Sequence, residues 1–276
     1  MTNFDKFTIF GERCSGTNYL EHVMTTNFDI KYSSDMCNKH FFCFNDYNKV
    51  DASKMLFIGI VRNPIYWLNS FSKELYHVPE INRQSLNNFL FNEWYSVLDE
   101  QSDNKPTNHF NENTSLSNKR LIRSYPINKK DLNYNTGKKC KNIFELRKIK
   151  NKYLMEKMPQ MFPNNYILIN YESLLYKFEE TMHEIQRRFN LKLRYSQFVN
   201  TKKYKKSDKY SFVNQRTITF DPPTVDLIWK HLCVEQETSL GYFKNDNNGY
   251  FKNSQPDQRL DNIPFKLGIA EQQSGQ

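Results

Sequence analysis

The residues best suited to chemistry fall in two short stretches. In the first, a polar turn, Gly11-Glu12-Arg13-Cys14-Ser15-Gly16-Thr17, follows the apolar-rich residues 7–10. It leads into a helical pattern with Leu20, Val23 and Met24 on one face. A strand, a tight turn and a helix N-terminus in that order leave backbone N–H groups pointing outward at the positive end of a helix dipole. Such a turn suits an anion; Ser15 and Thr17 add hydroxyl donors and Arg13 adds charge. In the second stretch the apolar run Met55–Val61 ends at Arg62-Asn63-Pro64, and Ser70 stands eight positions after the arginine.

The first turn nearly matches the loop that cradles nucleoside triphosphates, in which a glycine, four residues and a second glycine precede Lys and Ser or Thr. Gly11 and Gly16 keep that separation, but Thr17 stands in the lysine position. Without the cation that reaches the β- and γ-phosphates, the turn argues for a phosphate other than that of ATP or GTP. The chain's 276 residues and formal net charge of +9 are compatible with an anionic partner. The five cysteines are odd in number and lack CxxC spacing, which fits reduced thiols in an intracellular protein. Cys37, His40 and Cys43 have no second half-site, so no metal is expected. No apolar run approaches the roughly 20 residues of a membrane span. The start, Met1-Thr2-Asn3-Phe4-Asp5-Lys6, is unlike a signal peptide, and the expected location is cytoplasmic.

Elements must hold the two stretches together. Residues 29–32 and 39–42 read as short strands. Met55–Val61 and Tyr166–Asn170 read as strands buried on both faces, as in a parallel sheet. Helical patterns cover residues 64–75, 86–98, 143–161 (stopped near Pro159 and Pro163) and 173–189; a last helix, capped by Asp221, ends before Gly241. Strands alternating with helices predict an α/β fold, a mostly parallel central sheet with helices on both faces. Both stretches would then lie beyond the carboxyl ends of neighbouring strands, where such sheets bind ligands. Residues 1–245 read as one domain with an irregular insertion at about 99–141, residues 202–209 as a basic run, and 246–276 as a polar, flexible tail.

Together these residues resemble the sulfotransferase superfamily that uses 3′-phosphoadenosine 5′-phosphosulfate (PAPS), across roughly residues 6–75 and 143–243. Ser15-Gly16-Thr17-Asn18-Tyr19 is similar to the family's loop for the 5′-phosphosulfate, with an aromatic that packs on adenine. Arg62-Asn63-Pro64 with Ser70 resembles its 3′-phosphate motif, and Tyr171-Glu172-Ser173-Leu174 its Tyr-Glu-Asp-Leu segment, whose tyrosine lies near adenine. Ser173 is expected to cap a helix there, and the ending Glu237–Tyr242 resembles the close of the family's catalytic domain. The resemblance implies a three-layer P-loop sulfotransferase-like sandwich and transfer of a sulfuryl group from PAPS to a hydroxyl or amine, leaving adenosine 3′,5′-bisphosphate.

It also implies roles. Arg13, Cys14, Ser15, Gly16, Thr17, Asn18, Tyr19, Arg62, Ser70 and Tyr171 would bind the cofactor. Among six histidines His40 is the expected base, since it follows Lys39 and precedes Arg62 at about the interval of the family's cytosolic members. Glu12 is the fallback. One departure stands out: the family's lysine before Ser-Gly-Thr is replaced by Cys14, so Arg13 or Lys39 would supply charge at the leaving oxygen. The acceptor reads as a small molecule or glycan, with carbohydrate mildly preferred; no nucleic acid is expected and the oligomeric state is open. The alternatives are a nucleotide or nucleoside kinase, and a non-catalytic module binding nucleotide or acidic glycan.

Overall fold

The computed structural model describes residues 4–36, 38–43, 52–98, 126–200 and 218–244. Its frame is a four-stranded parallel sheet in the order β2-β1-β3-β4. The strands are β1 (Lys6–Phe10), β2 (Lys31–Tyr32), β3 (Met55–Val61) and β4 (Tyr166–Asn170). From β1 the chain goes outward to β2 on one side and then returns to β3 on the other. That reversal puts the topological switch point between β1 and β3, and the carboxyl ends of such strands are where open α/β sheets take ligands. Phe10 pairs with Gly59, so Arg62, just past Val61, leaves the sheet level with the glycine turn.

Alternation along β3 sorts the core. Leu56, Ile58 and Ile60 pack with Leu20, Val23 and Met24 of α1 (Thr17–Asn27), and with Met182 and Ile185 from a later helix. Met55, Phe57 and Val61 point to the opposite face. There they meet Trp67, Leu68 and Phe71 of α2 (Pro64–Phe71), Phe89 of α3 (Leu86–Phe91) and Leu146 of α4 (Ile143–Lys152). The fold is thus a mixed α/β fold, a small parallel sheet flanked by helices. After α4 the helix widens through a π turn (Tyr153–Lys157) into α5 (Met158–Met161), so Pro159 sits inside its last turn.

Several boundaries differ from the sequence reading. Residues 38–43 form a turn, closed by Phe41 N–H donating to the Asn38 carbonyl (3.0 Å), instead of a strand around His40. The helix expected over 86–98 stops at Phe91, because Trp94 and Cys140 exchange backbone bonds and pull the chain out of helical register. The helix expected over 173–189 is two, α6 (Tyr171–Tyr176) and α7 (Phe178–Phe189), broken at Lys177. Ser173 lies inside α6, whose N-cap position is Asn170, so it caps nothing. The last helix is also split: α8 (Pro222–His231) is capped by Asp221, whose Oδ1 accepts from Thr224 N–H at 2.9 Å, and α9 (Val234–Ser239) follows. Most of the insertion, the basic run at 202–209, Cys37 and the tail from 246 lie outside the described residues. No helix among the described residues is long and apolar enough to cross a membrane.

Candidate functional site

The glycine turn is set by its own short-range bonds. Ser15 N–H and Oγ both donate to the Glu12 carbonyl, at 3.1 and 2.6 Å, and Cys14 takes a left-handed φ of 63°. Gly16 follows at φ 94°, and a Cβ there would lie 2.2 Å from the Tyr171 ring, so only glycine fits. α1 begins at Thr17 with no side-chain cap and no acid in its first turn. By contrast α2, α3, α4 and α8 are each capped by a side chain: Asn63, Ser85, Asn142 and Asp221. An uncapped, acid-free N-terminus keeps its N–H dipoles available to an anion.

The second motif meets this turn. Asn63 caps α2 and Pro64 starts it, and Ser70 lies in its last turn. The Ser70 side chain hydrogen-bonds the Cys14 thiol, and Arg62 Nη1 donates to the Cys14 carbonyl at 2.9 Å. The Arg62 guanidinium lies over the Tyr171 ring at 4.8 Å and is only 9 % exposed. Its Nε has no hydrogen-bond partner among the described residues, and no carboxylate there lies within ion-pair distance. Glu172 is near, but its oxygens accept from Asn63 N–H (3.0 Å) and Tyr242 Oη (2.9 Å); burial raises its carboxyl while the Arg62 charge opposes the rise. Burial also pushes the Cys14 thiol to about 12, so it is a neutral hydrogen-bonding group.

Arg13 behaves differently. Its guanidinium turns inward, with Nε on Glu12 (2.9 Å), Nη1 on the Tyr76 carbonyl (3.0 Å) and Nη2 on Asp131 (3.1 Å). Lys150 of α4 completes the cluster: Nζ pairs with Glu12 at 2.5 Å, with Asp131, and with the His40 carbonyl at 2.8 Å. Glu12, Arg13, Asp131 and Lys150 are all buried. Burial pushes the Glu12 carboxyl up, but Lys150 and Arg13 outweigh it and hold the group down near 2. The cations of this cluster are therefore already neutralised. Trp67 Nε1 donates to the Arg13 carbonyl at 2.8 Å and fixes the turn from α2.

His40 sits against the other side of the turn. Its Nδ1 is 2.8 Å from the Gly11 carbonyl; because a carbonyl can only accept, Nδ1 carries the proton and Nε2 keeps the lone pair. Gly11 N–H in turn donates to the Lys39 carbonyl at 3.0 Å, so the His40 turn is laced to the loop twice. Burial lowers the imidazole to about 4, against the raising effects of the Gly11 bond and Glu12, so the ring is neutral at pH 7. Lys39 Nζ binds Asn18 Oδ1 and lies 3.2 Å from Glu21, which places its charge on the first turn of α1. Tyr19 and Tyr171 meet edge to face at 6.3 Å, both buried, and Tyr19 Oη donates to Asn200 at 3.0 Å.

The structure thus gathers Cys14, Ser15, Gly16, Thr17, Arg62, Ser70 and Tyr171 around the glycine turn, with Lys39 and His40 on its flank and the Arg13 guanidinium turned away. Sequence reasoning missed Asp131 and Lys150. Among the described residues no group of three or more His, Cys, Asp or Glu side chains is placed to hold a metal ion. Comparisons of the chain with protein-family models, curated proteins and solved structures give no match.

Proposed function

We propose that this protein is a sulfotransferase that takes its sulfuryl group from PAPS and delivers it to a hydroxyl of a small molecule or glycan. The observation that carries the reading is Arg62, a buried guanidinium with no carboxylate partner among the described residues, bonded to the carbonyl of the glycine turn. A buried cation left without an anion is costly. An anionic ligand group beside Arg62 would relieve that cost. The uncapped start of α1 offers a second grip beside it, and two grips suit a ligand phosphorylated at both ends.

The residues present fit such a cofactor. The N–H groups at the start of α1 with the Thr17 hydroxyl would hold the 5′ end, and Arg62 and Ser70 the 3′-phosphate; Ser15, whose N–H and hydroxyl both donate to the Glu12 carbonyl, shapes the turn instead. PAPS supplies the activated sulfuryl group, whose bond to the 5′-phosphate oxygen breaks as the bond to the acceptor oxygen forms. Tyr171 supports Arg62 through its ring face, and Gly16 lets that ring close on the loop. His40 Nε2 takes the acceptor proton, its tautomer fixed by Gly11. The charge beside the leaving oxygen falls to Lys39, whose pair with Glu21 is partly exposed and open to exchange, since the Arg13 guanidinium is held by Glu12 and Asp131 in a buried cluster.

The inward turn of Arg13 also favours a second reading, a protein that binds the nucleotide without turnover. Thermal unfolding separates the readings from a kinase. Adenosine 3′,5′-bisphosphate is expected to raise Tm while ATP–Mg²⁺ and AMP do not; stabilisation by ATP–Mg²⁺ alone would replace the proposal with the kinase. Sulfuryl transfer from PAPS to a panel of hydroxyl acceptors then separates enzyme from binding protein.

A further inference from the structure

From this geometry we infer that Lys150 is a positioning residue for the proposed site, tying the His40 turn to the glycine loop through one buried ammonium. The inference rests on the sulfotransferase reading for its meaning but on separate contacts for its support. Lys150 Nζ reaches the His40 carbonyl (2.8 Å), Glu12 of the loop (2.5 Å) and Asp131. These belong to three segments far apart in sequence, and Lys150 is 2 % exposed. Asp131 is in turn held by Arg13 (3.1 Å) and by the Ser96 hydroxyl, so the ammonium is itself locked in place.

A surface lysine could not do this. An ammonium has three donors and no acceptor, and here it hydrogen-bonds Glu12 and the His40 carbonyl and lies within ion-pair distance of Asp131. Removing it would free the carbonyl of His40 and leave Glu12 and Asp131 sharing Arg13. His40 would then sit beside a carboxylate that no longer has Lys150 opposite it. The charged groups around the imidazole are Glu12 and Arg13 from the loop and Lys39 from its own turn, with Lys150 and Asp131 behind the carbonyl. A less compensated Glu12 attracts a proton to His40, so its titration moves upward.

The experiment compares wild type with Lys150→Met and Lys150→Arg, reading three things: sulfuryl transfer from PAPS, the dissociation constant of adenosine 3′,5′-bisphosphate, and the His40 titration by ¹⁵N NMR. Lys150→Met is expected to lower kcat by about 10²-fold, the scale of a misplaced general base, with nucleotide Kd within about threefold and the His40 titration raised. Lys150→Arg, which keeps the charge, is expected to leave the titration near wild type and recover part of kcat. An unmoved His40 titration in Lys150→Met, or equal losses in kcat and nucleotide affinity, would overturn the inference. If Lys150→Met does not fold, Glu12→Gln/Lys150→Met removes one buried charge of each sign and takes its place. His40 then sits beside no loop carboxylate; its titration is expected to stay low while kcat falls, and wild-type kcat would overturn the inference. If wild type neither binds the bisphosphate nor transfers sulfuryl, the function reading fails, while the His40 titration still decides the role of Lys150.

Discussion

Two arginines of this protein occupy opposite situations within one loop's reach. Arg13 lies in a closed cluster with Glu12, Asp131 and Lys150, where every charge meets its opposite. Arg62 is equally sheltered, yet it stacks on Tyr171, donates to the Cys14 carbonyl and has no carboxylate partner among the described residues. The closed cluster can hold shape but has no charge left for a ligand. The open arginine steadies the turn through the Cys14 carbonyl and still has charge to offer. Burial of a cation therefore does not assign it to a site; what matters is whether the protein itself supplies the anion.

The comparison can be broken first at its closed end. Asp131→Ala strips a fully buried carboxylate from both Arg13 and Lys150, and breaking one side of a buried ion pair costs about 3–5 kcal/mol. Urea denaturation is expected to show a loss of that size, and a loss below about 1 kcal/mol would mean that the cluster is solvated and weak.

His40 tests the open end. His40→Ala is expected to lower kcat by about 10²-fold with nucleotide binding kept, as measured by steady-state transfer and calorimetry. Unchanged turnover would remove the imidazole from the chemistry.

A smaller effect follows from pH. Burial lowers His40 from 6.5 to about 4, so between those values the unfolded chain takes up a proton that the folded one refuses. Stability therefore falls as pH drops from about 6.5 to about 4. Glu12, held near 2 by Lys150 and Arg13, adds stability that is present above about 4.5 and is lost as pH falls toward 2. His40→Gln should flatten the upper slope and leave the lower one; a slope unchanged in the variant would place its origin elsewhere.

Much of the fold was legible because it is written in short-range pattern. The unbroken apolar runs Met55–Val61 and Tyr166–Asn170 are the observed β3 and β4. Pro64 and Asn63 do at α2 what their local chemistry dictates. The turn from Gly11 to Thr17 was readable from its two glycines, the apolar run before it and the helical pattern after it. The closed cluster was not, because Glu12 and Asp131 find Lys150 and Arg13 across more than a hundred residues. Lys150 sits in a helix rich in lysine, and Asp131 in a polar stretch with no periodicity. Neither carries a local sign of burial. The helix expected over 86–98 failed for a similar reason: the Trp94–Cys140 pairing that ends it is a tertiary contact.

On this view Arg62 waits for an anion that none of the described residues provides. Calorimetric titration of wild type and Arg62→Ala with adenosine 3′,5′-bisphosphate and with adenosine 5′-monophosphate tests it most directly. Wild type is expected to prefer the bisphosphate, and Arg62→Ala to lose about 10–100-fold in affinity for it, the worth of a charge-assisted hydrogen bond, with the monophosphate unaffected. Equal affinity of wild type and variant for the bisphosphate, or no binding by either, would contradict it.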